Sequence, residues 1–274
     1  MGKPIIAIMY DFDKTLCTKD MQEYGFIPKI GMNCQDFWQE VTALTDRQEM
    51  DSILAYMYLM VDKARKKEIK VQKKDFNELG TDIEYFPGVT SWFDRINDYG
   101  DNLGVSIEHY IVSSGIKEII EGSSIAKNFK RIYACEFMYD YTENICWPKM
   151  AVNYTAKTQF LFRINKGILD INSSSNKELN EYTPDNLRRI PFTNMIYIGD
   201  GLTDVPCMKL VKANGGNSVA VYQQDKKDLA CELLKDNRVD FICDANYDQD
   251  SKMEKVIKTI IDQLSVKDKL NSYK

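Results

Sequence analysis

No apolar run in this 274-residue chain approaches the roughly 20 residues that a membrane-spanning helix needs. No Cys-x-x-Cys pair occurs among the seven cysteines, and their count is odd. That argues against a disulfide framework or a thiolate zinc site, and for reduced thiols in a cytoplasm. Cys17 and Cys207 fall near the acidic motifs below, but buried thiols are usually small hydrophobes. Excess positive charge is also missing: the net charge is −5, so a general affinity for nucleic acid is not expected. The N-terminus carries one lysine and a short apolar run before its first acids, which is no signal-peptide pattern. No internal repeat is evident. What remains is 44% apolar and 28% charged, the balance of an ordinary globular protein.

The informative stretch is Ile5-Ile6-Ala7-Ile8-Met9-Tyr10-Asp11-Phe12-Asp13-Lys14-Thr15. Its apolar run reads as a buried strand. If the chain stays extended past Tyr10, Asp11 and Asp13 face the same way. Buried acids are costly unless they bind metal or do chemistry. A carboxylate pair at a strand's carboxyl end can hold Mg²⁺, attack phosphorus or shuttle a proton. The bland alternative is a strand that ends in a solvated acidic turn.

Residues 18–85 read as helical, with apolar spacing from Gln35 to Asp46, from Met50 to Ala64, and at Phe76 and Leu79. Lys63, Arg65, Lys66 and Lys67 sit at a helix C-terminus, where the dipole favours cations; a phosphate patch is the weaker reading. Pro87-Gly88 marks a boundary, followed by a helix through Ile96 that ends near Gly100. Next, His109 to Val112 reads as a short strand running into Ser113-Ser114-Gly115 and a helix carrying Ile116, Ile119 and Ile120. Small residues at such a turn can cradle an anion, or Ser can simply cap the helix. His109 is the only histidine; it precedes the strand instead of ending it and reads as structural.

Arg131 to Ala134 suggests another strand, and residues 137–139 with 145–147 a small hairpin ended by Pro148. Lys157 falls in the first turn of the next helix, where a cation is disfavoured unless an anion is near; a surface lysine is the plain alternative. Asn172 to Asn176 reads as a mobile polar loop, within a loop region reaching about Pro191 with a helical turn near 184–188. Met195 to Ile198 forms a buried strand ending in Gly199-Asp200-Gly201-Leu202-Thr203-Asp204, with Pro206 opening a helix. Strands at 219–222 and 239–242 and a last amphipathic helix complete an alternating pattern. It predicts an α/β fold with a doubly wound, mostly parallel sheet. In such a sheet, three polar strand ends (Asp11/Asp13, Ser113, Asp200/Asp204) share one edge, where ligands bind.

These four segments resemble the motifs of the haloacid dehalogenase-like (HAD) hydrolases. Asp11-Phe12-Asp13-Lys14-Thr15 is similar to the first, Ile111 to Gly115 to the second, Lys157 to the third with Lys149 a poor runner-up, and Gly199 to Asp204 to the fourth. Thr203 departs from the Asn often found there. The helical insert resembles the first-position cap of the phosphoserine phosphatase-like branch. The resemblance implies a core of residues 1–17 and 86–274 and a cap of 18–85. It also implies a Mg²⁺-dependent phosphatase acting on a small phosphorylated metabolite, not on nucleic acid or at a membrane. Asp11 would be the nucleophile and form an aspartyl-phosphate, and Asp13 the acid and base. Ser113, with N–H groups near Ser114 and Gly115, would bind the phosphoryl oxygens. Lys157 would neutralise phosphate and hold Asp11. Mg²⁺ would lie on Asp11, Asp200 and the Asp13 carbonyl, supported by Asp204. A phosphotransferase sharing the intermediate, and a phospho-accepting signalling or binding module, are the rival functions. The substrate, the specificity residues and the oligomeric state are left open.

Overall fold

The computed structural model describes residues 3–271 and Tyr273. Seven strands form one sheet: β1 Ile5–Tyr10, β2 Ser106–Ile116, β3 Phe129–Tyr139, β4 Ile145–Met150, β5 Met195–Gly199, β6 Asn217–Tyr222 and β7 Phe241–Asp244. Their order is β4-β3-β2-β1-β5-β6-β7. Every pair is parallel except β3 and β4, which form an antiparallel hairpin. The doubly wound α/β reading of the sequence therefore holds. The apolar run of β1 is continuous because both faces of this central strand are covered. Helices Ala156–Lys166 and Val205–Ala213 pack together, as do Val89–Asn102 and Lys252–Asn271. Right-handed crossovers on either side of β1 place the two pairs on opposite faces. The strand order reverses direction at β1, so its carboxyl end opens at the topological switch point.

Four sequence expectations change. His109 lies inside β2, paired with Ile8 and Phe129, and does not precede it. Its imidazole is buried between the Tyr10 hydroxyl at 3.0 Å and Asn97 Oδ1 at 3.1 Å, a structural role as expected. Ile116 closes β2, and the helix begins at Lys117. Pro148 does not end the hairpin; it pairs with Phe137 within β4. This strand is at the sheet edge, where a missing N–H is tolerated. The polar stretch from Asn172 is not a loop but opens the helix Ser173–Asn180. The Asn172 side chain accepts the Ser175 N–H, while Ser175 Oγ accepts the Asn172 N–H. Lys166 Nζ then caps the far end by donating to the Leu179 carbonyl.

Between β1 and the helix Val89–Asn102 the chain makes a helical excursion: Met21–Tyr24, Phe26–Lys29, Cys34–Gln48, Ser52–Lys66 and Lys73–Leu79. Asn33 and Asp51 cap the two long helices with side-chain oxygens. The basic run at the end of the second is engaged locally: Lys63 pairs with Glu40, and Lys66 with Asp62. The outgoing and returning chains hydrogen-bond to each other, Thr18 N–H to the Glu84 carbonyl and Phe86 N–H to the Leu16 carbonyl. Buried apolar side chains of the excursion join those of the sheet in one cluster. Phe76 stacks on Phe137 of β3 with centroids 5.6 Å apart, and on Phe26 at 5.9 Å. Gly122 permits this docking, because a Cβ there would lie 1.9 Å from the Asn77 carbonyl oxygen.

Candidate active site

β1 delivers Asp11 to the carboxyl edge, and the Asp11 N–H donates to the Ile198 carbonyl of β5 at 2.9 Å. The chain then turns back. Leu16 N–H reaches the Phe12 carbonyl, and Lys14 takes a left-handed conformation at φ 56°. This turn puts Asp13 beside Asp11 without a further residue of strand. The Asp13 carboxylate accepts the Met21 N–H at 2.9 Å, and Met21 sulfur receives the Ile116 N–H at 3.0 Å. The start of the excursion is thereby fixed to both strand ends. Gly115 is needed at this point: a Cβ would fall 2.1 Å from the Met21 methyl group and 2.9 Å from an Asp13 oxygen.

Lys157 is fully buried and sits between two carboxylates, with Nζ 3.1 Å from Asp11 Oδ2 and 2.7 Å from Asp204 Oδ1. Tyr197 of β5 donates its hydroxyl to the same Asp204 oxygen at 2.7 Å. The surface-lysine reading of Lys157 is thus excluded. Lys149 lies away from these acids, paired with Glu136 in the hairpin. Oxygens of Asp11, Asp200 and Asp204 all lie within 4.8 Å of one another. Burial, and then the charge of Asp204, raise Asp11 to about 6, with Lys157 opposing the shift. Burial and the charges of Asp204 and Asp11 raise Asp200 to about 8. Burial also raises Asp13, helped by Asp20 and Asp11. Burial works against the charge on Lys157, but its two acidic neighbours outweigh it and its pKa is raised. Cys207 is pushed up to about 12 by burial, an inert thiol beside the site.

A cavity of about 350 Å³ opens above these groups. Asp11, Asp13, Ser113, Ser114, Asp200 and Thr203 line it from the sheet side. Gly115 and Asp204 are not part of that lining. The Gly115 N–H is turned inward and donates to Ser113 Oγ at 2.9 Å. Ser114 Oγ donates to the Val152 carbonyl, and its own carbonyl accepts the Tyr56 hydroxyl at 2.6 Å. All three strand ends singled out in the sequence therefore meet at one place. Sequence reasoning missed Tyr197 and the opposite wall, where Asp20, Gln22, Trp38, Ser52, Ile53 and Tyr56 come from the excursion. The apolar spacing places Tyr56 on a helix, but nothing in that spacing tells which neighbour the ring meets.

Comparison with known proteins agrees with this geometry. Residues 8–209 match the family model described as haloacid dehalogenase-like hydrolase. A protein of Borreliella burgdorferi with no assigned function is 32% identical over 91% of this chain and 94% of its own length. Among solved structures, a substrate-bound phosphoserine phosphatase superposes with a TM-score of 0.58 at 12% identity, over 94% of this chain and 99% of that one. A phosphoserine phosphohydrolase-like protein from Francisella tularensis gives 0.53 at 16% identity, over 87% and 94%. At such identities the likeness concerns the fold.

Proposed function

The chain belongs to the haloacid dehalogenase-like hydrolases, and on that footing we propose that it is a Mg²⁺-dependent phosphatase of small phosphomonoesters that works through an aspartyl-phosphate. The observation that carries this reading is the placement of Lys157. Its ammonium is buried between Asp11 and Asp204, beneath a cavity that Asp13, Ser113 and Asp200 also line. A phosphomonoester carries close to two negative charges near neutral pH. A carboxylate cannot approach it unless that repulsion is offset. The buried ammonium supplies one fixed positive charge in a site where electrostatic interactions are strong.

The donor chemistry also fits a magnesium ion. Asp11, Asp200 and Asp204 offer an all-oxygen, carboxylate-rich set, and Mg²⁺ takes a few carboxylates together with waters and substrate phosphate. When bound, the ion supplies charge neutralisation for the phosphoryl group and for the crowded acids. The chain's own residues do the rest. Asp11 attacks phosphorus, with Lys157 and the Phe12 N–H holding its carboxylate in place. As the ester bond breaks, Asp13 gives its proton to the leaving oxygen; burial favours the protonated form needed at that moment. Asp13 then takes a proton from water, which attacks phosphorus and frees Asp11. Ser113 Oγ and the Ser114 backbone N–H would orient the phosphoryl oxygens, since Ser114 Oγ is engaged by the Val152 carbonyl. The excursion over residues 18–85 roofs the cavity and limits access to small substrates.

The test is phosphate release with Mg²⁺ from a set of small esters, by wild type and by Asp11→Asn and Asp13→Asn. Wild type should turn over, Asp11→Asn should not, and Asp13→Asn should retain phosphate on the protein. Substantial turnover by Asp11→Asn would remove the assigned nucleophile. Transfer of label to an added alcohol instead of water would mark a phosphotransferase.

A further inference from the structure

The wall that faces the catalytic groups has an unusual distribution of free polar atoms. Five side chains with polar atoms line it from the excursion: Asp20, Gln22, Trp38, Ser52 and Tyr56. Four of them are already engaged. Asp20 is paired with Lys14. Trp38 Nε1 donates to Glu23 Oε1 at 2.8 Å. Ser52 Oγ meets the Tyr154 hydroxyl at 3.1 Å, and the Tyr56 hydroxyl donates to the Ser114 carbonyl. What Trp38 and Tyr56 present is therefore ring, not polar tip. Val41 and Ile53 extend the same apolar surface.

Gln22 is the exception. Its residue is only 2% exposed, yet Oε1 is buried with no hydrogen-bond partner among the described residues. Leaving a buried carboxamide oxygen unmatched costs stability, so such groups are normally satisfied. This one borders the cavity, two residues after Asp20 and next to Met21, whose backbone and sulfur fix it to Asp13 and Ile116. Its position relative to the reacting groups is set by the same contacts that set Asp13.

From this we infer that Gln22 reads the leaving group, and that the substrate is the phosphomonoester of an uncharged, ring-bearing alcohol with an amide-like or hydroxyl hydrogen-bonding edge, as in a nucleoside 5′-monophosphate. The inference rests on the phosphatase reading above and narrows it. A ring packs against Trp38 and Tyr56, and its polar edge completes the hydrogen bond that Gln22 Oε1 lacks. Among the described residues, no unpaired charged side chain stands on this wall to receive an ammonium or carboxylate; Lys226 lies across the cavity, outside the excursion. A phosphorylated amino acid, with both charges on its leaving group, would leave them unmatched there.

Three esters and one variant test it. Uridine 5′-monophosphate carries the ring and the polar edge, benzyl phosphate the ring alone, and phosphoserine the two charges. Wild type with Mg²⁺ should show its highest kcat/KM on the nucleotide and its lowest on phosphoserine. Gln22→Leu, similar in size but without the amide, should lose roughly tenfold to a hundredfold on the nucleotide, and hold its rate on benzyl phosphate. Retained turnover of benzyl phosphate also shows that the variant is folded. A preference for phosphoserine, or equal losses on nucleotide and benzyl phosphate, would overturn the inference and leave a phosphatase. No phosphate release from any of the three by wild type would instead overturn the phosphatase reading itself.

Discussion

Tyr56 donates its hydroxyl to the carbonyl of Ser114 at 2.6 Å, across 58 residues of sequence. This single bond ties the longer wall of the cavity to the turn that carries Ser113. Tyr56→Phe removes it and leaves the ring. The expected cost is about 1 kcal/mol of stability, with a severalfold fall in kcat/KM as the wall loses its register. Urea unfolding beside steady-state kinetics checks both. An unchanged kcat/KM would show that the wall needs no such tether.

Lys157→Ala should lower kcat/KM by about a hundredfold or more, the scale on which one oriented transition-state donor acts. Lys149→Ala should leave it near wild type, since Lys149 forms only a surface pair with Glu136. If the two variants exchanged these effects, Lys149 would be the phosphate-neutralising lysine.

Three carboxylates crowd together at Asp11, Asp200 and Asp204, with one ammonium among them. A divalent cation should relieve that repulsion. At a hundredfold excess over its Kd, Mg²⁺ should stabilise the fold by about 2.7 kcal/mol, read as a rise in Tm that EDTA reverses. Asp200→Asn should raise the Tm of the metal-free protein and shrink the response to Mg²⁺. A wild-type Tm indifferent to Mg²⁺ would argue against metal binding at these acids.

His109 gives a pH dependence of known sign. Burial lowers its pKa from 6.5 to about 3. The folded state therefore keeps the ring neutral while the unfolded chain protonates below about 6.5. The unfolded state binds more protons in that window, so His109 makes stability fall as pH drops from about 6.5 toward 3. Because the chain has one histidine, its ring protons give one pair of resonances. Their shifts should stay constant from pH 8 down to about 4. Titration near pH 6.5 would place the ring in solvent.

The parts of the site that follow strand geometry were legible in the sequence. Asp11, Ser113 and Asp200 each follow an apolar run, and a parallel sheet brings such ends to one edge. Lys157 was flagged by its awkward place at a helix start, but only the motif resemblance set it above a surface lysine. Gln22 and Tyr56 were not, because the side of the excursion that meets the cavity depends on how its helices dock, which no periodicity encodes. Pro148 misled because an edge strand tolerates proline where an inner strand does not. Ser173–Asn180 was hidden by its composition; its signal is local, an Asn172 cap answered three residues later by Ser175.

The stacking of Phe76 on Phe137, with Gly122 tight against Asn77, has a mechanical consequence. It makes the helical excursion a beam held at both ends. Lys73–Leu79 and the paired junctions form one support. The other is the start of Ser52–Lys66, where Asn153 donates to Asp51, Ser52 meets Tyr154 and Tyr56 donates to the Ser114 carbonyl. Cys34–Gln48, with Trp38 and Val41, rests on that second support. Gln22 lies beside the first, so the group that distinguishes one alcohol from another keeps its distance from Asp13.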